Sequence, residues 1–491
     1  MRTIKLLLFT VVVMALSGCV GRREAVRHAD TLPPIFPDYI GITVPRNIAP
    51  PNFEIAGART IQAVLNAGNE ELVVIGDRYV DIAVDDWRTL QAAALKSDGR
   101  ISVSVSAWTD QDEGGVSYDP FDIFVSEDDV DPWVAYRLIP PGYETWCRMG
   151  IYERDLESFD ERAIITNDQN NKGCVNCHSF AQYDADKGML FHSRGIGGGT
   201  VVYQNGVIDK IALESMGEQM SGTYPMWHPE GRFVVFSSNK TRQSFYAHSR
   251  DKIEVYDQGS DLMIYDSKNK NVLLDERFTD SLNWETFPAF SPDGQWLYFC
   301  TAKAVKMPAQ YDQLRYSIVR VPFDSETGQL GEKIDTVYSA SRQGGSASFP
   351  RISPNGRLLL FTLADCGTFP IHHKEADLKL MDLSKLDTTK ESIGEAVMLS
   401  ADDINSPDVD SYHSWSSNGR WVVLSSKRID GSYTRLFLSH WDGKRFSKPM
   451  LLPQRDPEHN VQRLYSYNIP EFIKSPVLFD ADEIAELFKM N

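Results

Sequence analysis

The stretch Phe287–Gly294 reads Phe-Pro-Ala-Phe-Ser-Pro-Asp-Gly and has three relatives along the chain. They are Tyr224–Gly231, Phe349–Gly356 and a weaker copy, Tyr412–Gly419. The glycines that close the four copies stand 63, 62 and 63 positions apart. Such regular spacing is typical of repeated supersecondary units and does not arise by chance. The second half of this 491-residue chain is therefore predicted to be a repeat array.

Each repeat is predicted to be a small antiparallel sheet. The Pro-Asp-Gly or Pro-Asn-Gly turn is followed at once by an apolar strand, such as Trp296–Phe299, so the unit contains a hairpin. A later segment, such as Ser317–Pro322, supplies an outer strand. Four strands repeated around an axis make a β-propeller, which we place at residues 185–478. Five blades are visible, and the C-terminal segment is expected to complete a sixth by pairing with an earlier strand.

The chain ahead of the repeats is also predicted to be β structure. In residues 101–106, Ile or Val alternates with Ser, which is the period of a strand with one buried face. Several such strands at short spacing predict a β-sandwich-like domain at residues 53–141. Residues 19–52 are rich in proline and are expected to be a tether. A short helix is predicted at residues 479–491, with Ile484, Leu487 and Phe488 on one face.

A Cys-x-x-Cys-His motif lies between the two β regions, in a linker segment placed at residues 142–184. Cys174 and Cys177 have the spacing needed to bond the two vinyl groups of a haem, and His178 is then the proximal iron ligand. Half a zinc site is the first alternative, but the usual second ligand pair is missing. A thioredoxin-like redox pair is the second, but no βαβ pattern surrounds the motif. Because no amphipathic helix flanks it, the pocket for this covalent haem c is expected to come from neighbouring domains.

The sixth iron ligand has two candidates in the sequence. Met189 and His192 follow His178 by 11 and 14 residues, close enough to fold back over the iron. Both also alternate around Leu190 and Phe191 in a strand-like pattern, so simple packing is the alternative. An open or water-bound iron is the third possibility.

The N-terminus has the features of a bacterial lipoprotein leader. Arg2 and Lys5 precede an apolar run that ends in Leu16-Ser17-Gly18-Cys19. The run is too short to cross a membrane as a helix. Residues 1–18 are therefore predicted to be a signal peptide and Cys19 the lipidated N-terminus. Export agrees with haem attachment outside the cytoplasm, and we expect an outer-membrane lipoprotein that faces the periplasm.

The charge of the chain limits its partners. The formal net charge is −18, and loss of the leader removes Arg2 and Lys5 and no acid, which leaves −20. Nucleic acid is therefore excluded as a partner. A cationic electron-transfer protein, or no charged partner at all, suits this surface better, and a charge that only keeps the protein soluble is the alternative. A redox or envelope protein partner is expected on the propeller face.

The hairpins and the leader together carry a family resemblance. The Ser-Pro-Asp-Gly turns, as at Ser291–Gly294, resemble the WD40-like repeats of TolB-like β-propeller proteins. With the lipobox and the haem motif, the chain also resembles a group of bacterial TolB-like lipoproteins that carry a cytochrome-type motif. The resemblance implies fold and envelope location and does not define an activity.

Three functions fit these features. The first is a lipid-anchored monohaem protein that transfers electrons or senses redox state, with the propeller as docking platform. The second is a TolB-like envelope binding or assembly protein without redox activity. The third is a haem-dependent oxidoreductase; a hydrolase is disfavoured because no Gly-x-Ser-x-Gly occurs.

Two further groups of residues stay open. Insertions at residues 240–260, 302–314 and 364–376 are expected on one propeller face and are either a binding surface or solvated loops. A disulfide between two of Cys147, Cys300 and Cys366 cannot be read from the sequence, although Cys300 occupies a small-residue position of the repeat. The polar and aromatic residues of the insertions are Tyr246, His248, Tyr256, Tyr311, His372 and His373.

Overall fold

The architecture was taken from a computed structural model, which describes residues 21–140, 148–195, 197–213, 222–245, 253–386 and 398–489. The predicted leader and Cys19 lie outside these residues, as do Cys147, Tyr246 and His248. The described chain is mostly strand, which confirms the all-β prediction. No helix in these ranges is long and apolar enough to cross a membrane.

The N-terminal unit is built on one large sheet. Its elements are β1 (Arg27–Ala29), β2 (Ile35–Phe36), β3 (Thr43–Pro45), β4 (Phe53–Ile55), β5 (Ala58–Ala67), β6 (Glu70–Gly76), β7 (Tyr79–Val80), α1 (Val84–Leu95), β8 (Arg100–Thr109), β9 (Asp112–Tyr118) and β10 (Phe121–Ser126). The large sheet has the order β1-β9-β8-β10-β3, with β5 and β6 joined through β8. A small sheet, β2-β4-β7, and helix α1 pack against it around the buried side chains of Trp87 and Phe53.

The proline-rich segment differs from the predicted tether. Strand β1 pairs in parallel with β9, and β3 pairs in parallel with β10. The segment therefore belongs to the N-terminal sheet from Arg27 onward, because its backbone hydrogen bonds are satisfied by two strands of that sheet.

The rest of the chain forms six four-stranded sheets, which we call blades 1 to 6. First in the chain come β11 (Trp133–Ile139), β12 (Gly150–Asp155) and β13 (Glu161–Thr166), which belong to blade 6. Blade 1 contains β14 (Cys174–Ala181), β15 (Asp184–Arg194), β16 (Gly199–Gln204) and β17 (Val207–Ile211). Blade 2 contains β18 (Gly222–Trp227), β19 (Phe233–Phe245), β20 (Ile253–Asp266) and β21 (Asn271–Leu273). Blade 3 contains β22 (Asn283–Phe290), β23 (Trp296–Lys303), β24 (Ser317–Pro322) and β25 (Asp335–Tyr338).

The remaining strands complete the array. The short helix α2 (Ala340–Gln343) leads into blade 4, made of β26 (Ser346–Ile352), β27 (Leu358–Ala364), β28 (Asp377–Asp382) and β29 (Met398–Leu399). Blade 5 contains β30 (Asp410–Trp415), β31 (Trp421–Ser426), β32 (Arg435–His440) and β33 (Met450–Leu451). After α3 (His459–Gln462) come β34 (Ser466–Ile473) and α4 (Ala481–Lys489). Single 3-10 turns lie at Glu276–Phe278, Tyr311–Gln313, Pro370–His372, Leu383–Lys385 and Asp402–Ile404.

Blade 6 closes the ring with strands from both ends of the array. Its order is β13-β12-β11-β34, and β34 pairs with β11 along most of its length. The C-terminal segment therefore does complete a sixth blade, as predicted. The strands nearest the axis are β14, β18, β22, β26, β30 and β34, each of which contacts the next, and β34 returns to contact β14.

The predicted domain boundaries differ from this structure in two ways. Strand β11 was expected inside the N-terminal domain, but it pairs with β12 and β34 of blade 6. The segment at residues 142–184 was expected to be a linker, but in its described part β12, β13 and β14 are blade strands. The propeller thus begins near Trp133 rather than at residue 185, because blade 6 needs three strands from upstream to cover β34.

The two units share one core, and the last helix docks on the propeller. A single buried cluster joins side chains of the N-terminal sheet to Trp415 and Trp421 of blade 5. Helix α4 buries Ile484 and Phe488 against a cluster that includes Val175 of blade 1. The axial channel of the propeller is therefore held between well-packed blades.

Candidate functional site

A backbone bulge recurs in all six inner strands. The regular pairing of each inner strand shifts at an equivalent place, where one residue has a positive φ, and the pairing of β14 shifts a second time near its end. A positive φ is unfavourable for a side chain larger than glycine, so the surrounding packing must impose it. The six residues, with φ between 43° and 54°, are Cys177, Tyr224, Phe287, Phe349, Tyr412 and Ile469.

The Cys-His dipeptide of the motif occupies this bulge in blade 1. In four of the other blades the next residue is proline, namely Pro225, Pro288, Pro350 and Pro470, and in blade 5 it is His413. Cys177-His178 is therefore the blade 1 version of a dipeptide that the fold uses six times. His413 shows that a buried histidine can occupy this position without any haem motif, since its Nε2 lies 3.0 Å from the carbonyl oxygen of Leu360.

The bulge residues close the axial channel. The Phe287 and Phe349 rings have their centroids 4.1 Å apart, and Tyr224 and Tyr412 flank them at 4.6 and 4.8 Å. Only about 20 Å³ of free space is left at this level. We call this level the bulge ring. Its residues around the free space include Cys177, His178, Tyr224, Phe287, Phe349 and Ile469.

The motif residues are buried in the bulge ring or directly beside it. Cys174 and Cys177 are 7% and 5% exposed, and burial raises the pKa of the Cys174 thiol to about 11. Neither ring nitrogen of His178 makes a hydrogen bond of acceptable geometry, although the Ile469 backbone lies close. Burial, with help from the positive charges of Arg137 and Arg351, lowers the pKa of His178 from 6.5 to about 3. The imidazole is therefore neutral at pH 7.

The donor set fits a haem, but the space around it does not. A neutral, buried imidazole with unpaired nitrogens beside two thiols has the chemistry of a c-type haem site. Pockets for ligands of that size enclose about 300–1,000 Å³. The 20 Å³ next to His178 is about the volume of one water molecule. Among the described residues, the bulge ring as packed is therefore too narrow for a porphyrin.

The two candidate sixth ligands lie in β15, the strand that pairs with the motif. Met189 is 1% exposed and packs in an apolar cluster with Val175, Phe180 and Phe191. His192 is opposite Asn176, and its Nδ1 lies 3.2 Å from the Thr200 hydroxyl. Burial lowers the pKa of His192 to about 4. The structure thus gives both residues packing roles, and their ligation of iron stays a prediction.

Two residues past the bulge in each strand, the channel opens into a wider cavity of about 340 Å³. We call this cavity the axial funnel. The six equivalent positions two residues after the bulge all line it: Ser179, Met226, Ala289, Arg351, Ser414 and Glu471. Aromatic walls come from the next position, for example Trp227, Phe290 and Trp415. The fold thus places one residue of each blade around a single, partly open cavity.

Arg351 and Glu471 are the charged members of this set of six. Burial lowers the pKa of the Arg351 guanidinium and raises that of Glu471 to about 7. The hydrogen bond that the structure gives the Arg351 guanidinium is a long one, from Nη1 to the Pro350 oxygen at 3.4 Å. Glu471 Oε2 accepts from the Phe180 backbone N–H at 3.1 Å. Within the described chain no ion pair of 4.0 Å or less joins the two side chains, and the Ser179 hydroxyl is buried without a partner.

Sequence reasoning missed Arg351 and Glu471. Both follow a proline of the repeat dipeptide, where the equivalent residues in blades 2 and 3 are Met226 and Ala289. A charge at a position that is otherwise apolar or small was the available signal. It could be used only once the bulge was recognised as the element that aims the following residue at the axis.

The insertion loops hold a structural ion pair in their described part. His373 Nε2 lies 3.2 Å from Glu254 of blade 2, and its Nδ1 lies 3.3 Å from Glu375. Burial alone lowers the pKa of His373, but the two carboxylates outweigh burial and raise it to about 10. His372 is partly buried and Tyr256 is 6% exposed. His373 therefore links blades 2 and 4 through Glu254.

The remaining thiols and carboxylates form no metal centre in the described ranges. Cys300 and Cys366 are free thiols, and Cys300 is fully buried in β23, as its small-residue position suggested. Among the described side chains, no group of three or more His, Cys, Asp or Glu residues is placed to hold a metal ion.

The chain was compared with known proteins. No family model matches it, and no curated protein matches it. Among solved structures it is similar to TolB from Acinetobacter baumannii, with a TM-score of 0.44 and 12% identity over 79% of this chain and 85% of that one.

Two peptidases show a weaker likeness. For a puromycin-hydrolyzing peptidase of Mycobacterium tuberculosis the TM-score is 0.37 at 11% identity, over 87% of this chain and 57% of that one. For prolyl oligopeptidase B from Galerina marginata it is 0.32 at 12% identity, over 81% of this chain and 60% of that one. The chain thus spans less than two thirds of these peptidases. Because all three TM-scores are below 0.5, the functional argument rests on the funnel itself.

Proposed function

We propose that this chain is a TolB-like binding protein of the cell envelope and that the axial funnel is its binding site. The observation that carries the proposal is the cavity of about 340 Å³ on the propeller axis, into which six blades each direct one side chain. Enclosed cavities of about 300–1,000 Å³ with apolar walls and a few polar groups are typical ligand sites. Arg351 and Glu471 supply those polar groups.

Native mass spectrometry of the protein purified from its own envelope tests this proposal. We expect wild type to carry an additional bound mass that unfolding releases. Met226→Trp should lose that mass, because Met226 is partly buried at the funnel wall and a larger ring there fills the cavity. Ala56→Trp adds the same ring in an exposed turn of the N-terminal unit and should keep the mass. Loss in both variants, or no bound mass in wild type, would reject the funnel as the binding site.

The envelope location is part of the proposal. Its support is the Leu16-Ser17-Gly18-Cys19 lipobox, which implies attachment through a lipid on Cys19. Cys19→Ala should release the protein from the membrane fraction or stall its processing, whereas Ser17→Ala keeps a small residue and should not. Membrane fractionation and the mass of the mature N-terminus measure this. Unchanged attachment in Cys19→Ala would contradict it.

A second candidate function is that of a covalent haem protein. Its support is the spacing of Cys174 and Cys177 together with the unpaired ring nitrogens of buried His178. Bound there, a haem would supply one-electron transfer, for electron transport, redox sensing or oxidoreductase chemistry. The narrow bulge ring is the reason this function comes second, since the ring would have to separate to admit the group.

A haem stain after denaturing electrophoresis tests the second function. The protein should be produced in cells with active cytochrome maturation. Covalent haem predicts a stain that the double variant Cys174→Ser, Cys177→Ser loses and that Cys300→Ser keeps. A reduced-minus-oxidised spectrum with Met189→Ala and His192→Ala then separates the two candidate sixth ligands. A wild-type protein without stain would remove haem from the functions of this chain.

A further inference from the structure

The charges inside the axial funnel restrict what can bind there. Arg351 lies on β26 and Glu471 on β34, with β30 of blade 5 between them. Their charges are opposite, and they are close enough for each to shift the pKa of the other. They do not form an ion pair of 4.0 Å or less within the described chain. Two partly desolvated opposite charges that do not meet leave a gap in which a ligand can complete both interactions.

The hydrogen-bond capacity around this gap is also incomplete. The Arg351 guanidinium has five N–H donors, and its hydrogen bond to the Pro350 oxygen is long, at 3.4 Å. Glu471 lines the cavity, and one of its carboxylate oxygens accepts from the Phe180 backbone N–H. The Ser179 hydroxyl is buried with no partner. Buried polar groups are normally satisfied, so the unpaired Ser179 hydroxyl, beside two charged side chains that are only partly buried, leaves hydrogen-bond capacity that a ligand can use.

We infer that the funnel binds a small zwitterion whose carboxylate pairs with Arg351 and whose ammonium group pairs with Glu471. This inference rests on the proposed function and adds the chemical class of the ligand. A dianion would be repelled by Glu471, and a dication would be repelled by Arg351 and by Lys474, an exposed lysine that also lines the funnel. A planar guanidinium also suits the two oxygens of a carboxylate. Free amino acids and short peptides both carry this pair of charges, and the cavity volume admits either.

Isothermal titration calorimetry on the mature chain tests the inference with four probes. They are alanine, trialanine, N-acetyl-trialanine and trialanine amide. We expect an uncapped probe to bind, and we expect each cap to weaken the trialanine interaction by roughly 10- to 100-fold, as the loss of one charge-assisted contact implies. Alanine against trialanine distinguishes an amino-acid ligand from a peptide ligand. Equal binding of capped and uncapped trialanine would overturn the inference, and so would the absence of binding by every probe.

Two funnel variants then assign each end of the ligand to its residue. Arg351→Met should weaken trialanine by a similar factor and leave the amide unchanged, because the amide has no carboxylate to lose. Glu471→Gln should weaken trialanine and leave the N-acetyl form unchanged. Arg445→Met removes an arginine whose side chain is 79% exposed in a surface loop of blade 5 and should change nothing. If Arg351→Met weakened trialanine and its amide equally, the assignment of the carboxylate end would be wrong.

Failure of this inference can be distinguished from failure of the proposed function. A copurifying mass that Met226→Trp abolishes, combined with no binding of any zwitterion, would retain the funnel as a binding site and reject the ligand class. No copurifying mass and no binding would reject both. The probe series in wild type needs no variant, so the test does not depend on the folding of any substituted chain.

Discussion

The two levels of the axial channel are built by the same six strands and yet have opposite characters. At the bulge ring, large rings pack to within 4.1–4.8 Å between centroids and leave about 20 Å³. Two residues along each strand, the funnel is a partly open cavity of about 340 Å³. At the ring positions four blades have an aromatic bulge residue and four have proline after it, whereas the funnel positions differ in every blade but for two serines. The repeat thus conserves its packing at one level and is free to vary its chemistry at the next.

The difference between the two levels changes the interpretation of the Cys-x-x-Cys-His motif. Cys177 and His178 stand at the level that packs, where four other blades have proline. Arg351 and Glu471 belong to no linear motif, and both line the wider funnel, although Arg351 also borders the small space beside His178. In a propeller, position relative to the bulge therefore indicates function better than a short motif does.

The largest effect should come from opening the bulge ring. Phe349 is 4% exposed and contacts the rings of Phe287 and Tyr412. Phe349→Ala should lower the free energy of unfolding by about 3–5 kcal/mol, because it removes buried contacts and leaves a cavity. Urea unfolding followed by tryptophan fluorescence measures the change.

The substitution to compare with Phe349→Ala is at Arg351, which lies two residues along the same strand and lines the funnel. Arg351→Met should change the free energy of unfolding by less than about 1 kcal/mol, since the guanidinium has a single long hydrogen bond in the structure. Similar losses in Phe349→Ala and Arg351→Met would break the distinction between a packing level and a binding level.

The fold could be predicted from the sequence to the extent that its repeat was uniform. The 63-residue glycine period predicted blades 2 to 5, and the fold class is confirmed. The inner strand of blade 1 was missed for two reasons. Cys177-His178 replaces the aromatic-proline dipeptide, and the following hairpin turns through Gln182 and Tyr183, both with positive φ, instead of Ser-Pro-Asp-Gly.

The rest of the architecture depends on contacts between distant parts of the chain. Blade 6 joins β11 to β34, and no local pattern shows that those two strands pair. The funnel has the same origin, since each blade supplies one residue and the six are spread from Ser179 to Glu471. Short-range periodicity predicts strands and turns, but it carries no information on which strands share an axis.

The second-largest expected effect is a pH dependence of the free energy of unfolding that arises from Glu471 in the funnel. Burial raises the pKa of Glu471 from 4.5 to about 7, so the folded chain binds this proton more tightly than the unfolded chain. The contribution to stability is fully present below pH 4.5 and is lost as the pH rises through about 7. Glu471→Gln keeps an acceptor for the Phe180 N–H and carries no charge at either pH. The difference in free energy of unfolding between this variant and wild type should therefore favour the variant more at pH 8 than at pH 5, by on the order of 1 kcal/mol.

Unfolding of wild type and Glu471→Gln at the two pH values measures this difference. The charged or titratable groups around Glu471 are Arg351 and Tyr183, with Lys474 near the rim of the funnel. Arg351 opposes the shift, so the double variant Arg351→Met, Glu471→Gln serves as the control for coupling. A stability difference that does not depend on pH would contradict the tight proton binding of Glu471.

The smallest expected effect on stability comes from His178, and its pH dependence has the opposite sign to that of Glu471. Burial lowers the pKa of His178 from 6.5 to about 3, so the neutral imidazole stabilises the fold above pH 6.5, and that stability is lost as the pH falls toward 3.

His178→Pro places in blade 1 the residue found at this position in four other blades, where it follows a residue with a similar positive φ. The variant should be more stable by about 0.4–1 kcal/mol at pH 8, because proline restricts the unfolded chain. The gain should be larger at pH 5, where wild type loses stability. Thermal unfolding at both pH values measures it, and His178→Ala, which lacks the restriction of proline, is the matched control. A stabilised His178→Pro protein would assign His178 to the packing of the bulge ring, whereas a destabilised protein that also loses a haem spectrum would assign it to the iron.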